Sequence, residues 1–106
     1  MLFRSLLSFD DLARLPERDA QVLLEQIDMG DLRLALRAAD KLVQDAFLGA
    51  MSERRRARFM EDVQAMAPVR MSEVQAARDR IVQAVRALEE QQLLRVPRSG
   101  EDDPYV

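Results

Sequence analysis

The sequence predicts an all-α protein, a compact bundle of about six short helices with one long helix near the C-terminal end. Only three glycines and four prolines interrupt the 106 residues, and threonine is absent, so few residues favour strands. Apolar residues recur at helical spacing in successive stretches, several of which follow a Ser or Asp that can act as an N-cap. The short connections between these stretches indicate that neighbouring helices pack together.

Two helices are expected before the first glycine. Ser8 can cap a short helix over FDDLARL, which ends at Leu15 because the residue before Pro16 avoids helical geometry. A second helix over about residues 17–27 carries its apolar side chains on one face, at Ala20, Leu23, Leu24 and Ile27.

Aspartates mark the next two helix starts. Asp28 is expected to cap a third helix, with Gly30 at the break. Asp40 is expected to cap a fourth helix that ends near Gly49. The apolar stripe of this fourth helix consists of Leu42, Val43, Ala46 and Phe47.

A strongly charged helix is expected within Met51–Arg70, capped by Ser52. Its inward residues are predicted to be Phe59, Met60, Val63 and Met66. Arg54, Arg58 and Glu61 then share the exposed face, with Asp62 at its edge. Four arginines near an N-terminus oppose the helix macrodipole, although Arg58 and Asp62 can pair at i,i+4. A helix surface whose charges oppose the macrodipole in this way is a candidate for function.

The C-terminal third is predicted to be one long helix. Pro68 ends the charged helix and places Ala67–Val69 in a turn. Ser72 then begins a helix that reaches about Gln91. Its apolar stripe is expected at Val74, Ala77, Ile81, Ala84 and Leu88, broadened by Val82 and Val85. Leu93–Pro97 follows as a short extended segment. We therefore expect an N-terminal segment over residues 1–9, a helical domain over 10–97 and a loose C-terminal tail over 98–106.

The composition argues against several classes of protein. Cysteine and histidine are absent, which excludes disulfides, thiolate and imidazole metal sites and His-based catalysis. No EF-hand loop is present, so we expect no metal site, no cofactor and no enzymatic activity. No stretch approaches about 18 consecutive apolar residues, and MLFRSLL does not read as a signal peptide. A cytoplasmic protein without a membrane span is expected.

Several stretches, taken in order, resemble the C-terminal domain of the flagellar motor switch protein FliG. The resemblance runs from about Leu6 to Val106. It rests on LLSFDDLARLPERDAQVLLEQID, DLRLALRAAD, MSERRRARFMEDVQAMAPVRMSEVQAARDRIV and the ending GEDDPYV. No single motif is diagnostic, whereas their order and spacing over about a hundred residues are.

The resemblance implies a rotor domain at the cytoplasmic face of the bacterial inner membrane. Such a domain contacts the cytoplasmic loop of the stator protein MotA through charges of both signs, generates torque and takes part in direction switching. FliM and neighbouring FliG copies are further implied partners, and nucleic acid is not. The family's functional charges align with Arg37, Arg54, Glu61, Asp62 and Arg70.

Some family features are altered in this sequence. The hinge tetrapeptide Met-Phe-x-Phe aligns with Leu6, Leu7, Ser8 and Phe9, of which only the last phenylalanine matches. Ala38 and Ala67 stand where the family has glycine, and if either glycine takes a positive φ, alanine requires a different turn.

Two alternatives remain open from the sequence. A helical nucleic-acid-binding module could use the Arg54–Arg58 run, but the pI of about 5.0 and the acids on the same helix oppose phosphate binding. A degenerate FliG-like relative could keep the fold and lack the motor role, since fold does not imply function.

Overall fold

A computed structural model describes residues 7–97, and every regular element in that range is a helix. A 3₁₀ helix comes first and five α helices follow: Phe9–Arg14 (3₁₀), α1 Glu17–Gln26, α2 Met29–Leu36, α3 Lys41–Leu48, α4 Glu53–Gln64 and α5 Met71–Glu90. The all-α prediction and the long helix near the C-terminal end are confirmed. Leu6 of the hinge position and the expected tail over 98–106 lie outside the described residues.

Three of the predicted N-caps are confirmed. The carboxylate of Asp28 accepts the N–H of Asp31 at 3.2 Å at the start of α2. Asp40 accepts the N–H of Leu42 at 3.4 Å at the start of α3. The Ser52 hydroxyl accepts an N–H bond of 3.2 Å at the start of α4. Local sequence signals therefore set the starts of these helices.

Two boundaries differ from the prediction. Gly30 lies inside the first turn of α2, because the chain already leaves helical geometry at Ile27 and Asp28, where both residues are extended. The long helix α5 begins at Met71 rather than Ser72, with Arg70 in extended geometry at the N-cap position. The N-cap of α5 makes no side-chain hydrogen bond to the helix, so no capping signal marks this start.

The core lies between α5 and α2 on one side and α3 and the 3₁₀ helix on the other. Phe9 and Phe47 stack at its centre with ring centroids 6.5 Å apart. The inward stripe of α5 agrees with the prediction, except that two of its members are only partly buried. The buried residues are Val74, Ala77, Ile81, Val85 and Leu88, and the partly buried ones are Val82 and Ala84.

Residues near both limits of the described range enter this core. Leu7 and Phe9 are buried, so the described part of the hinge position packs with the helices that follow it. Leu94 and Val96 are buried as well, and the N–H of Val96 donates to a Glu89 carboxylate oxygen at 2.9 Å. The segment after α5 thus folds back onto the bundle.

Arginines on α5 fix the position of α2. The Arg78 Nε donates to the carbonyl of Ala35 at 3.1 Å, and its guanidinium lies 5.2 Å from the centroid of Phe9. Arg80 donates to both carboxylate oxygens of Asp31, at 3.1 and 2.8 Å. The hydrogen bond to Asp31 raises the pKa of Arg80 above its ordinary value. The α2–α5 pair is therefore held by polar as well as apolar contacts.

Candidate functional site

The candidate site is built on α4, which is attached to the bundle by a narrow apolar strip. Phe59 is its one buried residue, while Met60 and Val63 are partly buried. Met66, predicted to face the core, lies beyond the end of the helix and is also only partly buried. A cavity of about 50 Å³ remains among these side chains and their neighbours on α2 and α3. The rest of α4 is free to present charge.

The exposed side of α4 carries the charges that its helical period predicts. Arg54 and Glu61 are exposed, and within residues 7–97 neither side chain makes a hydrogen bond or an ion pair. The Nε of Arg58 lies 3.8 Å from Asp62 Oδ1, which is the predicted i,i+4 pair. At 79% and 43% exposure these two side chains remain accessible to a partner.

Arg70 follows α4 after the turn at Pro68. It is exposed at the N-cap position of α5, and its side chain has no hydrogen-bonding partner in the described part of the chain. We call Arg54, Glu61, Asp62 and Arg70 the charged surface. It combines two cations with two anions along α4 and the turn that follows it. Arg54 and Glu61 lie roughly 10 Å apart along the helix axis, at 1.5 Å per residue.

Arg37 is placed differently from the other four. It is the C-cap residue of α2, and its side chain reaches the chain just beyond α4. The Nη1 donates to the carbonyl of Ala67 at 2.8 Å and to that of Met66 at 3.3 Å. Arg37 therefore lies beside the charged surface, with one nitrogen engaged by the backbone of the turn. No local feature of the sequence signals this contact, because its partners are 29 and 30 residues away.

The arginine run of α4 is not a uniform basic patch. The Arg56 Nε donates to the carbonyl of Leu48 at 3.0 Å and its Nη2 to that of Met51 at 3.2 Å. Arg55 contacts the sulfur of Met29 at 3.5 Å. The run thus divides into arginines that hold the loop or a neighbouring helix and arginines that face solvent. This division does not favour a phosphate-binding groove.

Two other kinds of site are not found among the described residues. Within 7–97, no group of three or more acidic side chains could hold a metal ion. No helix in the same range is long and apolar enough to cross a membrane. What α4 and its turn present is an accessible arrangement of charges of both signs, suited to recognising a complementary charged partner.

Comparison with known proteins points to one family. Residues 2–96 match the family model described as the FliG C-terminal domain. The chain is 36% identical over 98 residues to the flagellar motor switch protein FliG of Bacillus subtilis, covering 92% of this chain and 29% of that protein. The FliG of Borreliella burgdorferi is 35% identical over 98 residues, covering 92% and 28%.

Solved structures of FliG proteins are also similar to this chain. A crystal structure of FliG from H. pylori matches with a TM-score of 0.81 at 30% identity, covering 84% of this chain and 39% of that one. The chain spans less than a third of the length of the curated relatives it matches.

Proposed function

Because this chain belongs to the FliG C-terminal domain family, we propose that it is a non-enzymatic rotor domain of the flagellar motor switch. It contacts the cytoplasmic loop of the stator protein MotA, and through this contact it generates torque and takes part in direction switching. The charged surface, Arg54, Glu61, Asp62 and Arg70, carries the contact. The domain works at the cytoplasmic face of the inner membrane, where FliM and neighbouring FliG copies are its further partners.

One observation supports this proposal above the others. Arg54 and Glu61 stand exposed on the same side of α4, and within residues 7–97 the fold gives neither side chain a partner. An arginine and a glutamate that the domain itself leaves unpaired are available to a second protein. Since the two charges have opposite signs, they favour a partner with the complementary order of charges.

The energy and reach of exposed ion pairs suit a contact that forms and breaks repeatedly. An exposed ion pair is worth about 0–1 kcal/mol, and at 0.15 M salt its reach is about 8 Å. Charge complementarity of this kind sets orientation and encounter rate more than tight affinity. A rotor that passes successive stator units needs contacts that are oriented and readily released.

The first experiment is a titration of the isotope-labelled chain with the cytoplasmic loop of a MotA-type protein, at low and at physiological salt. We expect amide shifts at the charged surface that weaken as salt is added. Arg54→Glu is expected to lower the affinity roughly tenfold through like-charge repulsion, with unchanged helicity. Arg18→Glu is the matched control, because Arg18 is also exposed but lies on α1.

Two results would contradict the proposal. A folded domain that shows no shifts at any salt concentration would indicate a relative that keeps the fold without the stator contact. Binding to duplex DNA that falls steeply with salt would instead indicate a nucleic-acid-binding module that uses Arg54–Arg58. Equal loss of affinity in Arg54→Glu and Arg18→Glu would place the contact away from α4.

A further inference from the structure

We propose that Arg37 is a positioning residue, which fixes the turn between α4 and α5 and thereby Arg70, rather than a charge that itself meets the stator. We call the hydrogen bonds from Arg37 to this turn the clamp, and they lie entirely within this domain. The consequence of the clamp for binding rests on the proposed stator contact. By family resemblance alone, Arg37 would be one of the stator-facing charges.

The backbone of the turn has carbonyls that the helix cannot satisfy. α4 ends at Gln64, and Ala67 must leave helical geometry because Pro68 follows it. Pro68 also has no N–H to donate. Carbonyls at and beyond a helix C-terminus need donors from elsewhere, and a nearby cation is favoured there by the macrodipole. Arg37 supplies both the donors and the charge.

Other interactions hold the turn only loosely. Ala67 and Pro68 are exposed, and Met66 and Val69 are only partly buried. In the described part of the chain, the side-chain hydrogen bonds to the carbonyls of this turn come from Arg37. Backbone hydrogen bonds to the carbonyls of Val63 and Arg70 hold the two ends of the turn. Between those ends, the Arg37 guanidinium holds the carbonyls of Met66 and Ala67.

Arg37 is itself anchored to the rigid part of the fold. It terminates α2, which is held against α5 by the bonds from Arg78 to Ala35 and from Arg80 to Asp31. The Gln44 side chain donates to the carbonyl of Leu36, next to Arg37, at 2.9 Å. Polar contacts thus hold α2 in place, and Arg37 reaches the turn from the end of this helix. Arg37 thereby fixes the end of the charged surface relative to the bundle.

The first test measures the clamp without any partner. Arg37→Met removes the donors and keeps an unbranched side chain, and Arg33→Met on the same helix is the matched control because Arg33 makes no hydrogen bond to residues 7–97. We expect Arg37→Met to speed amide exchange at Ala65 and Met66 roughly tenfold, as loss of a charged hydrogen bond would. Core amides of α5, such as Ile81 and Val85, should keep their protection. Arg37→Lys should restore the turn, since an ammonium also donates to carbonyls.

The second test asks how Arg37 affects binding of the MotA loop, in a double-mutant cycle with Arg70→Gln. If Arg37 acts by placing Arg70, Arg37→Met costs affinity in the native background and little once Arg70 is removed. Such non-additivity would not arise from a general loss of stability or from a separate contact. If Arg37 meets the stator itself, the two fold-losses multiply.

The possible outcomes separate this inference from the proposed function. Unchanged exchange at Ala65 and Met66 in Arg37→Met overturns the clamp, and multiplying fold-losses overturn the positioning role. If the native chain does not bind the loop, the proposed function fails while the exchange data still decide whether the clamp exists. If Arg37→Met does not fold, Arg37→Ala, which also has no side-chain donor, replaces it in both tests.

Discussion

Arg54 and Arg56 lie two residues apart on α4 and carry the same side chain, yet they have different roles. Arg54 is exposed without a partner in the described residues, whereas Arg56 donates to the carbonyls of Leu48 and Met51. Arg37 and Arg78 likewise donate to carbonyls near helix ends. Three arginines that the sequence alone would place as surface charges thus donate hydrogen bonds to backbone carbonyls. A guanidinium can do this because it has five donors on a long side chain.

This difference gives a test on stability. Arg56→Gln is expected to lower the free energy of unfolding by about 1 kcal/mol, because two carbonyls lose a charged donor in a partly exposed site. Arg54→Gln removes the same charge from the same helix and is expected to change the free energy of unfolding by less than about 0.5 kcal/mol. Urea denaturation of both variants measures the difference. Equal effects would mean that the Arg56 bonds contribute nothing to stability.

At the scale of elements, α4 shows what local sequence determines. Its start at Ser52 and its exposed charges were predictable, since caps and helical period act over a few residues. Its end at Gln64 was not, because it comes three residues before the turn that was predicted at Ala67–Val69. The depth to which its inward face is buried was not predictable either, because only Phe59 of the four predicted inward residues is buried. The partners of Arg37 and Arg56 were not predictable either. They depend on how α2, α3 and α4 meet, which no local period records.

The weak attachment of α4 predicts that it opens as a separate unit. Phe59→Ala is expected to lower the opening free energy of α4 amides by about 3 kcal/mol, the usual cost of deleting a buried phenylalanine, with a smaller effect on α5. Phe47→Ala is the matched variant, since Phe47 is fully buried and stacks on Phe9. It should lower protection in α4 and α5 alike. Native-state hydrogen exchange checks both, and identical profiles would rule out independent opening of α4.

At the scale of the whole molecule, residues near both limits of the described range belong to one core. Leu7 and Phe9 enter it before α1, and Leu94 and Val96 enter it after α5. The alternation of buried Leu94 and Val96 with exposed Leu93 and Arg95 has the period of an extended strand, which suits the predicted extended segment. Its burial could not be predicted from the sequence, because so short an alternation does not indicate which face is covered.

This alternation predicts opposite outcomes for two adjacent leucines. Leu94 is 6% exposed and Leu93 is 52% exposed, although both lie in the irregular segment after α5. Leu94→Ala is expected to lower the free energy of unfolding by about 2–4 kcal/mol, because it leaves a cavity in the core. Leu93→Ala should change it by less than about 0.5 kcal/mol. Thermal and urea denaturation measure both. If the two variants unfold alike, the segment after α5 is not part of the cooperative core, and the bundle must be stable without it.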